Sequence, residues 1–345
     1  MAYTTIDNPE LYFQVKTYSG TGSSNAITLD GDENMQPDLV YLKRRDDGAP
    51  PMFFDAIRGA TKRLQTNNTD AEATGSQQLT AFGSDGFTVG TNEDANHSSG
   101  TYVAWCWKAG TTSGISGSPS ITPSEYSFNQ TAGFSIIEFT TPGSSTGTVP
   151  HGLGVAPTVI LARIKGSSSW QCGFDALQSG AWTSILTMNN DAAELTSNAA
   201  YGNTPPTSTL FTVNSANFGA SGDAIAYCFA EKQGYSKAGS YTGNGNADGP
   251  FVYTGFRPAF VIIKETTQTD NWAIFDNKRS GYNSENERLY ANGNWAEEDG
   301  SSKIDFLSNG FKLRDTWGSS NTSGETYIYM AFAEAPFVNS KGVPC

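Results

Sequence analysis

The sequence is short of the residues that do chemistry. Only two histidines occur in 345 residues, His97 and His151, so a zinc site built on two or three imidazoles is not expected. A Ser-His-Asp triad needs a base held by an acid against an activated serine, and neither histidine sits in such a set. His97 lies in a polar turn, and His151 lies in the loop Pro150-His151-Gly152-Leu153-Gly154. No Gly-x-Gly-x-x-Gly opens a helix, and no phosphate loop is present. No run of about 18 apolar residues exists, so a membrane-inserted helix is not expected. The start lacks a basic region followed by an apolar one, so it does not read as a secretory signal. Positive charge is scarce: 21 Lys and Arg against 34 Asp and Glu give a net charge of −13. A nucleic-acid partner is therefore disfavoured, because that affinity is mostly cation to phosphate. The basic run Lys43-Arg44-Arg45 is followed at once by Asp46-Asp47 and reads as a solvated hairpin end. The four cysteines include no Cys-x-x-Cys. They read as buried free thiols plus a terminal Cys345, as expected of a chain folded in a cytoplasm.

What is present is a strand that returns. Tyr102-Val103-Ala104-Trp105-Cys106-Trp107 follows Ser99-Gly100, Ala224-Ile225-Ala226-Tyr227-Cys228-Phe229 follows Ser221-Gly222, and Tyr327-Ile328-Tyr329-Met330-Ala331-Phe332 follows Ser323-Gly324. Side chains alternate faces along a strand. One face is bulky and apolar in all three copies (Trp105, Tyr227 and Met330 at its centre), and the other is mostly small. That pattern suits a central strand with a core on one side and a close sheet on the other.

Other features recur in the same order. A proline opens an earlier strand at Pro37, Pro157 and Pro258, and a Phe-Asp pair follows at Phe54-Asp55, Phe174-Asp175 and Phe275-Asp276. A later turn leads into strands at Phe87, Phe211 and Phe311. Short apolar runs punctuated by Gly, Ser, Thr and Asn are the all-β pattern. The expected fold is three tandem antiparallel β-sandwich repeats at residues 13–110, 133–235 and 238–338, each large enough for its own core. An N-terminal arm (residues 1–12), a Gly/Ser-rich linker (111–132) and a C-terminal tail (339–345) complete the chain.

Candidate sites are few. Asp55, Asp175 and Asp276 recur one per repeat and do not make the carboxylate pair of a glycosidase; a turn or backbone hydrogen bond explains the recurrence. Asp30-Gly31-Asp32-Glu33-Asn34 lacks EF-hand spacing and reads as an acidic hairpin loop, so no metal and no cofactor are expected. Trp182, Trp295 and Trp317 fall in polar, loop-like sequence and are the candidate ligand-binding residues, because exposed aromatics there stack on sugars or anchor an interface.

The chain resembles a family of repeated β-domain proteins in the virions of marine bacteriophages, often described as tail-fibre-like. The resemblance rests on Phe54-Asp55-Ala56-Ile57-Arg58-Gly59-Ala60-Thr61-Lys62, on Tyr102 to Gly110, on His151-Gly152-Leu153-Gly154-Val155-Ala156-Pro157, on Gly239-Ser240-Tyr241-Thr242-Gly243-Asn244-Gly245 and on Phe332-Ala333-Glu334-Ala335-Pro336-Phe337-Val338. One departure is the ending, since relatives are expected to run on past Pro344. The resemblance implies a jelly-roll or concanavalin-like sandwich and a place in the virion, reached after folding in the host cytoplasm. It carries no catalytic residue across. The expected role is a non-enzymatic structural protein, a tail-fibre or tail-tip module for host attachment and receptor binding, with host-surface glycan as ligand. The alternative is a capsid decoration, head-fibre or tail-adaptor protein. Its expected partners are other virion proteins and itself, in a homo-oligomer with a trimer as first choice.

Overall fold

The computed structural model describes residues 2–345 other than 144, 219, 220, 301 and 302. The chain is nearly all β, and its antiparallel sheets form three sandwich units in chain order. Unit 1 contains β1 (Phe13–Ser19), β2 (Asn25–Thr28), β3 (Leu39–Arg44), β4 (Met52–Asp55), β5 (Lys62–Gln65), β6 (Ala73–Thr74), β7 (Leu79–Gly83), β8 (Gly86–Val89) and β9 (Thr101–Trp107). Its larger sheet runs β1-β9-β3-β4-β5-β6 and its smaller one β2-β8-β7. Unit 2 contains β10 (Glu125–Asn129), β11 (Phe134–Thr140), β12 (Thr146–Pro150), β13 (Val159–Ile164), β14 (Gln171–Phe174), β15 (Leu210–Asn214) and β16 (Asp223–Phe229), arranged as β10-β11-β16-β13-β14 over β12-β15. Unit 3 contains β17 (Ser236–Thr242), β18 (Phe251–Tyr253), β19 (Phe256–Glu265), β20 (Ala273–Asp276), β21 (Leu289–Tyr290), β22 (Ile304–Leu307), β23 (Gly310–Leu313) and β24 (Thr326–Pro336), arranged as β17-β24-β19-β20-β21 over β18-β23-β22.

The returning strand is β9, β16 and β24, and it holds the same place in each unit. Trp105 lies between Val15 and Tyr41, Tyr227 between Ile136 and Leu161, and Met330 between Ala238 and Ile262. A one-residue slip would turn the whole face over, so this shared register makes the three copies equivalent residue by residue.

The small faces of these strands pack inside their own sandwiches. Ala104 and Cys106 meet Ile27, Phe87 and Val89 of unit 1, and Ala226 and Cys228 meet Val149, Phe211 and Val213 of unit 2. Tyr329 and Ala331 meet Val252, Phe306 and Phe311 of unit 3. The bulky faces do something the repeat pattern does not announce. Trp105, Trp107, Tyr227, Phe229, Met330 and Phe332 belong to one hydrophobic core drawn from all three units. Phe332 stacks on Phe13 at 5.0 Å and meets Phe229 at 5.8 Å, and Trp107 meets Phe229 at 6.2 Å and Phe260 at 5.8 Å. Each larger sheet is therefore covered on both faces, by its own small sheet outside and by the other two units inside. That is why these central strands lack the polar face of a one-sided antiparallel sheet.

Three sequence expectations change here. The stretch 111–132 is not simply a linker, because β10 forms within it and pairs with β11 along Glu125 to Asn129. The arm is not free. Ile6 is buried in the shared core, Tyr3 donates to the Gly255 carbonyl at 2.8 Å, and Thr4 donates to the Gln233 carbonyl at 2.6 Å. The tail folds back through a Val338–Pro344 bridge, and Asp7 accepts from the Ser340 backbone N–H at 2.6 Å. The cysteine reading agrees with the structure: Cys106, Cys172 and Cys228 are buried free thiols and Cys345 is exposed.

Candidate functional site

Polar side chains fasten each unit to the next. Lys43, Arg163 and Lys264 occupy equivalent ends of β3, β13 and β19, and all are buried. A buried cation needs compensating acceptors. Arg163 finds them in unit 1, donating to Thr69 O at 3.2 Å and Asp70 O at 2.7 Å. Lys43 reaches unit 3, donating to Trp295 O at 2.8 Å as well as to Ala49 O at 2.7 Å, and burial pulls its pKa down to about 8. The basic run at 43–45 is thus not a solvated hairpin end. Arg45 also crosses to unit 3, where it pairs with Glu297 at 2.7 Å and Glu287 at 3.1 Å.

Two of the recurring aspartates form local turns, as expected, while Asp175 Oδ1 instead accepts the Trp182 indole N–H at 3.3 Å. Asp55 Oδ1 accepts the Arg58 N–H at 2.8 Å, and Asp276 Oδ1 accepts the Arg279 N–H at 3.1 Å. They also do more. Asp55 pairs with Arg58 at 2.6 Å and accepts the Tyr227 hydroxyl of unit 2 at 2.6 Å. Asp276 pairs with Arg279 at 2.7 Å and accepts the Trp105 indole N–H of unit 1 at 2.9 Å. Unit 2 departs from this: Asp175 is followed three residues later by Gln178, and the residue equivalent to Trp105 in unit 3 is Met330. Asp55 and Asp276 are joint residues. His151 is buried, its Nε2 lies 3.1 Å from the Thr207 carbonyl oxygen, and burial lowers its pKa to about 4. It is a neutral core group at neutral pH.

The three candidate tryptophans part company. Trp182 is 1 % exposed and packs edge-on against Tyr201 at 5.3 Å inside unit 2, so no ligand can stack on it. Trp295 and Trp317 come together through Tyr290 of β21, with ring centroids 5.4 Å and 6.3 Å away. Arg288 completes the row, its guanidinium 4.2 Å from the Trp317 ring and 5.7 Å from the Tyr290 ring. Arg288 also donates to the Tyr290 hydroxyl at 2.7 Å and pairs with Glu298, to which Tyr290 donates at 3.2 Å. Burial pushes the Tyr290 phenol up to about 12. Trp317 is partly buried at the foot of α3 (Gly318–Asn321), while Trp295 is 48 % exposed at the free end of the row.

This row is held rigidly. Gly293 lies so close to the Trp295 ring that an added Cβ would stand 2.1 Å from it. The Trp295 carbonyl is bound by Lys43, and Glu297 lies between Arg45 and Arg279. An exposed indole with its backbone fixed, next to a row of cation–π and carboxylate contacts, is suited to stacking on a flat apolar face with hydroxyls at its rim. Among the described residues no group of three or more His, Cys, Asp or Glu is placed to hold a metal ion, and no helix is long and apolar enough to cross a membrane. Sequence reading missed Arg288 and Tyr290. They flank Leu289, which is buried in the shared core, and nothing in the sequence around them sets them apart.

A protein-family model described as a domain of unknown function (DUF7483) matches residues 8–336, so it spans all three units. No curated protein matches this chain.

Proposed function

This chain belongs to that family of unknown function, and we propose that it is a non-enzymatic bacteriophage virion protein, a tail-fibre or tail-tip module that recognises host-surface glycan. The observation that carries the reading is Trp295, exposed at the end of the Tyr290–Arg288–Trp317 row and fixed across units 1 and 3. Rigid sheets that display short loops suit recognition. Stacking on one indole contributes on the order of 1 kcal/mol, so useful affinity requires several such contacts in an array.

Self-association stays in the proposal with its geometry changed. The apolar faces that join three sheets are used within the chain, so a threefold array of chains meets through outer surfaces. A trimer mass by light scattering supports this, and a monomer at micromolar concentration removes it. The second reading, a capsid decoration, head-fibre or tail-adaptor protein, is favoured by the absence of any shaft-forming heptad or collagen-like repeat in the sequence.

The test is adsorption of the purified protein to host cells and to their envelope polysaccharide, compared with Trp295→Ala and Trp182→Phe. The glycan reading expects Trp295→Ala to lose about tenfold in adsorption, since one lost stack of about 1 kcal/mol is multiplied by the array, while its melting temperature is kept. Trp182→Phe should adsorb normally. No adsorption by the wild-type protein favours the decoration reading, and release of reducing sugar overturns the non-enzymatic one.

A further inference from the structure

Equivalent units create three equivalent crevices between neighbours, and among the described residues one stays open. Between units 1 and 2 the crevice is filled by β10, which covers the edge of β11. Ser127 accepts the Gly110 N–H at 2.7 Å, and Thr111 bridges to Phe128. Between units 3 and 1, the β2–β3 connection and the turn at Pro9–Leu11 close over β1. Gln14 donates to Glu10 O at 2.9 Å and to Glu33 O at 3.1 Å, and only about 50 Å³ remains. Between units 2 and 3 a cleft of about 260 Å³ persists, lined by Thr158, Asp175, Glu231, Ala238, Gly239 and Ser240.

That cleft has two properties of a vacated place. Its floor is the outer edge of β17, the counterpart of β11. Apart from a Lys232 bridge at its first residue, Ser236, β17 has no described neighbour on that side of its sheet. The Ala238 N–H points outward to the Glu231 side chain at 3.0 Å instead of to β24. Ala238 corresponds to Ile136, because each pairs with the central residue of the returning strand, and Ile136 is the residue that β10 meets through Ser127. The second property is charge. In units 1 and 3 the recurring aspartate holds a guanidinium, Arg58 or Arg279. In unit 2 Gln178 replaces that arginine and turns away to Glu194 at 2.9 Å, and the Trp182 indole N–H, a neutral donor 3.3 Å from Asp175 Oδ1, leaves the carboxylate charge unpaired by a cation among the described residues. Burial, with Asp175 nearby, raises the Glu231 pKa.

We propose that the cleft between units 2 and 3 is a docking site for an extended peptide segment of a partner protein, laid antiparallel on β17 as β10 lies on β11, with an arginine or lysine entering between Asp175 and Glu231. Main-chain hydrogen bonds to a free edge supply affinity and the side-chain pocket supplies selectivity. The proposal stands whether or not Trp295 meets a sugar.

The probe is a fluorescein-labelled peptide of residues 123–131 carrying Ser127→Arg, which puts the cation opposite Ala238. Titrated with the full chain and read by anisotropy, it should saturate with Kd of about 10–100 µM. The unsubstituted peptide, and a full chain carrying Glu231→Lys with unchanged melting, should each bind about tenfold more weakly. Backbone amides of residues 238–242 should gain protection from hydrogen exchange when the peptide is bound. No saturation by about 1 mM peptide, or equal binding to the Glu231→Lys chain, overturns the site. Equal binding of the two peptides overturns the assignment of a cation to it.

Discussion

At the scale of single residues, Trp105 does two jobs. Its ring fills the shared core, and its indole N–H bonds Asp276 across a joint. Trp105→Ala should cost about 3–5 kcal/mol in denaturant unfolding, as large aromatic truncations in cores do. Trp105→Phe keeps most of the packing and should cost about 1–2 kcal/mol, since it leaves a buried carboxylate oxygen short of one donor. Glu285 makes a prediction in pH. It is buried, its Oε2 has no hydrogen-bond partner, and burial followed by the nearby Asp276 raises its pKa to about 7. The folded state then holds a proton that the unfolded state releases near its ordinary value of 4.5. The stability from this group is complete below the unfolded value and is lost as pH rises through 7. Glu285→Gln should therefore be more stable than wild type at pH 8 by on the order of 1–2 kcal/mol once solvent screening is discounted, with the gap closing toward pH 5. Residue identity was legible where it repeats: the Phe-Asp pairs, and the turn role of Asp55 and Asp276, can be read from the chain alone. Trp182, Trp295 and Trp317 were not separable that way, because polar flanking sequence surrounds a buried indole and an exposed one alike. Lys43 and Arg163 stood in plain view at the ends of the repeated strands, but a strand-end cation in sequence looks the same whether it meets water or a neighbouring unit's carbonyls.

At the scale of elements, each returning strand is preceded by one short helical turn: α1 (Glu93–Asn96), α2 (Ser215–Phe218) and α3. In units 1 and 3 a tyrosine of the strand ties that turn down. The Tyr102 hydroxyl donates to Glu93 O at 2.6 Å and accepts from His97 N at 2.7 Å. Tyr327 likewise accepts from Thr322 N at 2.8 Å and donates to Gly318 O. Tyr18 and Tyr241 stack on these rings at 5.0 and 5.1 Å. Unit 2 has Ala224 at that place, which carries no hydroxyl to make this tie. Tyr102→Phe should leave two backbone groups without a partner and lower stability by about 1–3 kcal/mol in a thermal or denaturant melt, with hydrogen exchange accelerated first at residues 93–97. Strand alternation made the main strands readable. β10 was hidden because Gly and Ser dominate the chain before it, and its pairing partners, Phe134 to Glu138, come later. A strand whose existence depends on an edge to join leaves a weak local trace.

At the scale of the whole molecule, the alternating faces announced buried sides without saying what buries them. The large residues of β9, β16 and β24 read as three cores, but they meet in one. A single unit is thus not expected to stand alone: residues 121–235, which keep β10, expressed by themselves should expose the Tyr227–Phe229 face and aggregate or bind a hydrophobic dye, while the full chain does neither. A soluble, cooperatively melting unit 2 would show that its own small-sheet core suffices. The same closure has a consequence for the order of the chain. Asp7 and Ser340 touch, so the polypeptide returns to its starting place after visiting each unit. A short Gly/Ser splice joining the two ends, with a new opening cut in the exposed stretch at residues 112–118, asks no strand to move. Such a circular permutant would run unit 2, unit 3, unit 1, and its ring would be the same object entered by another door.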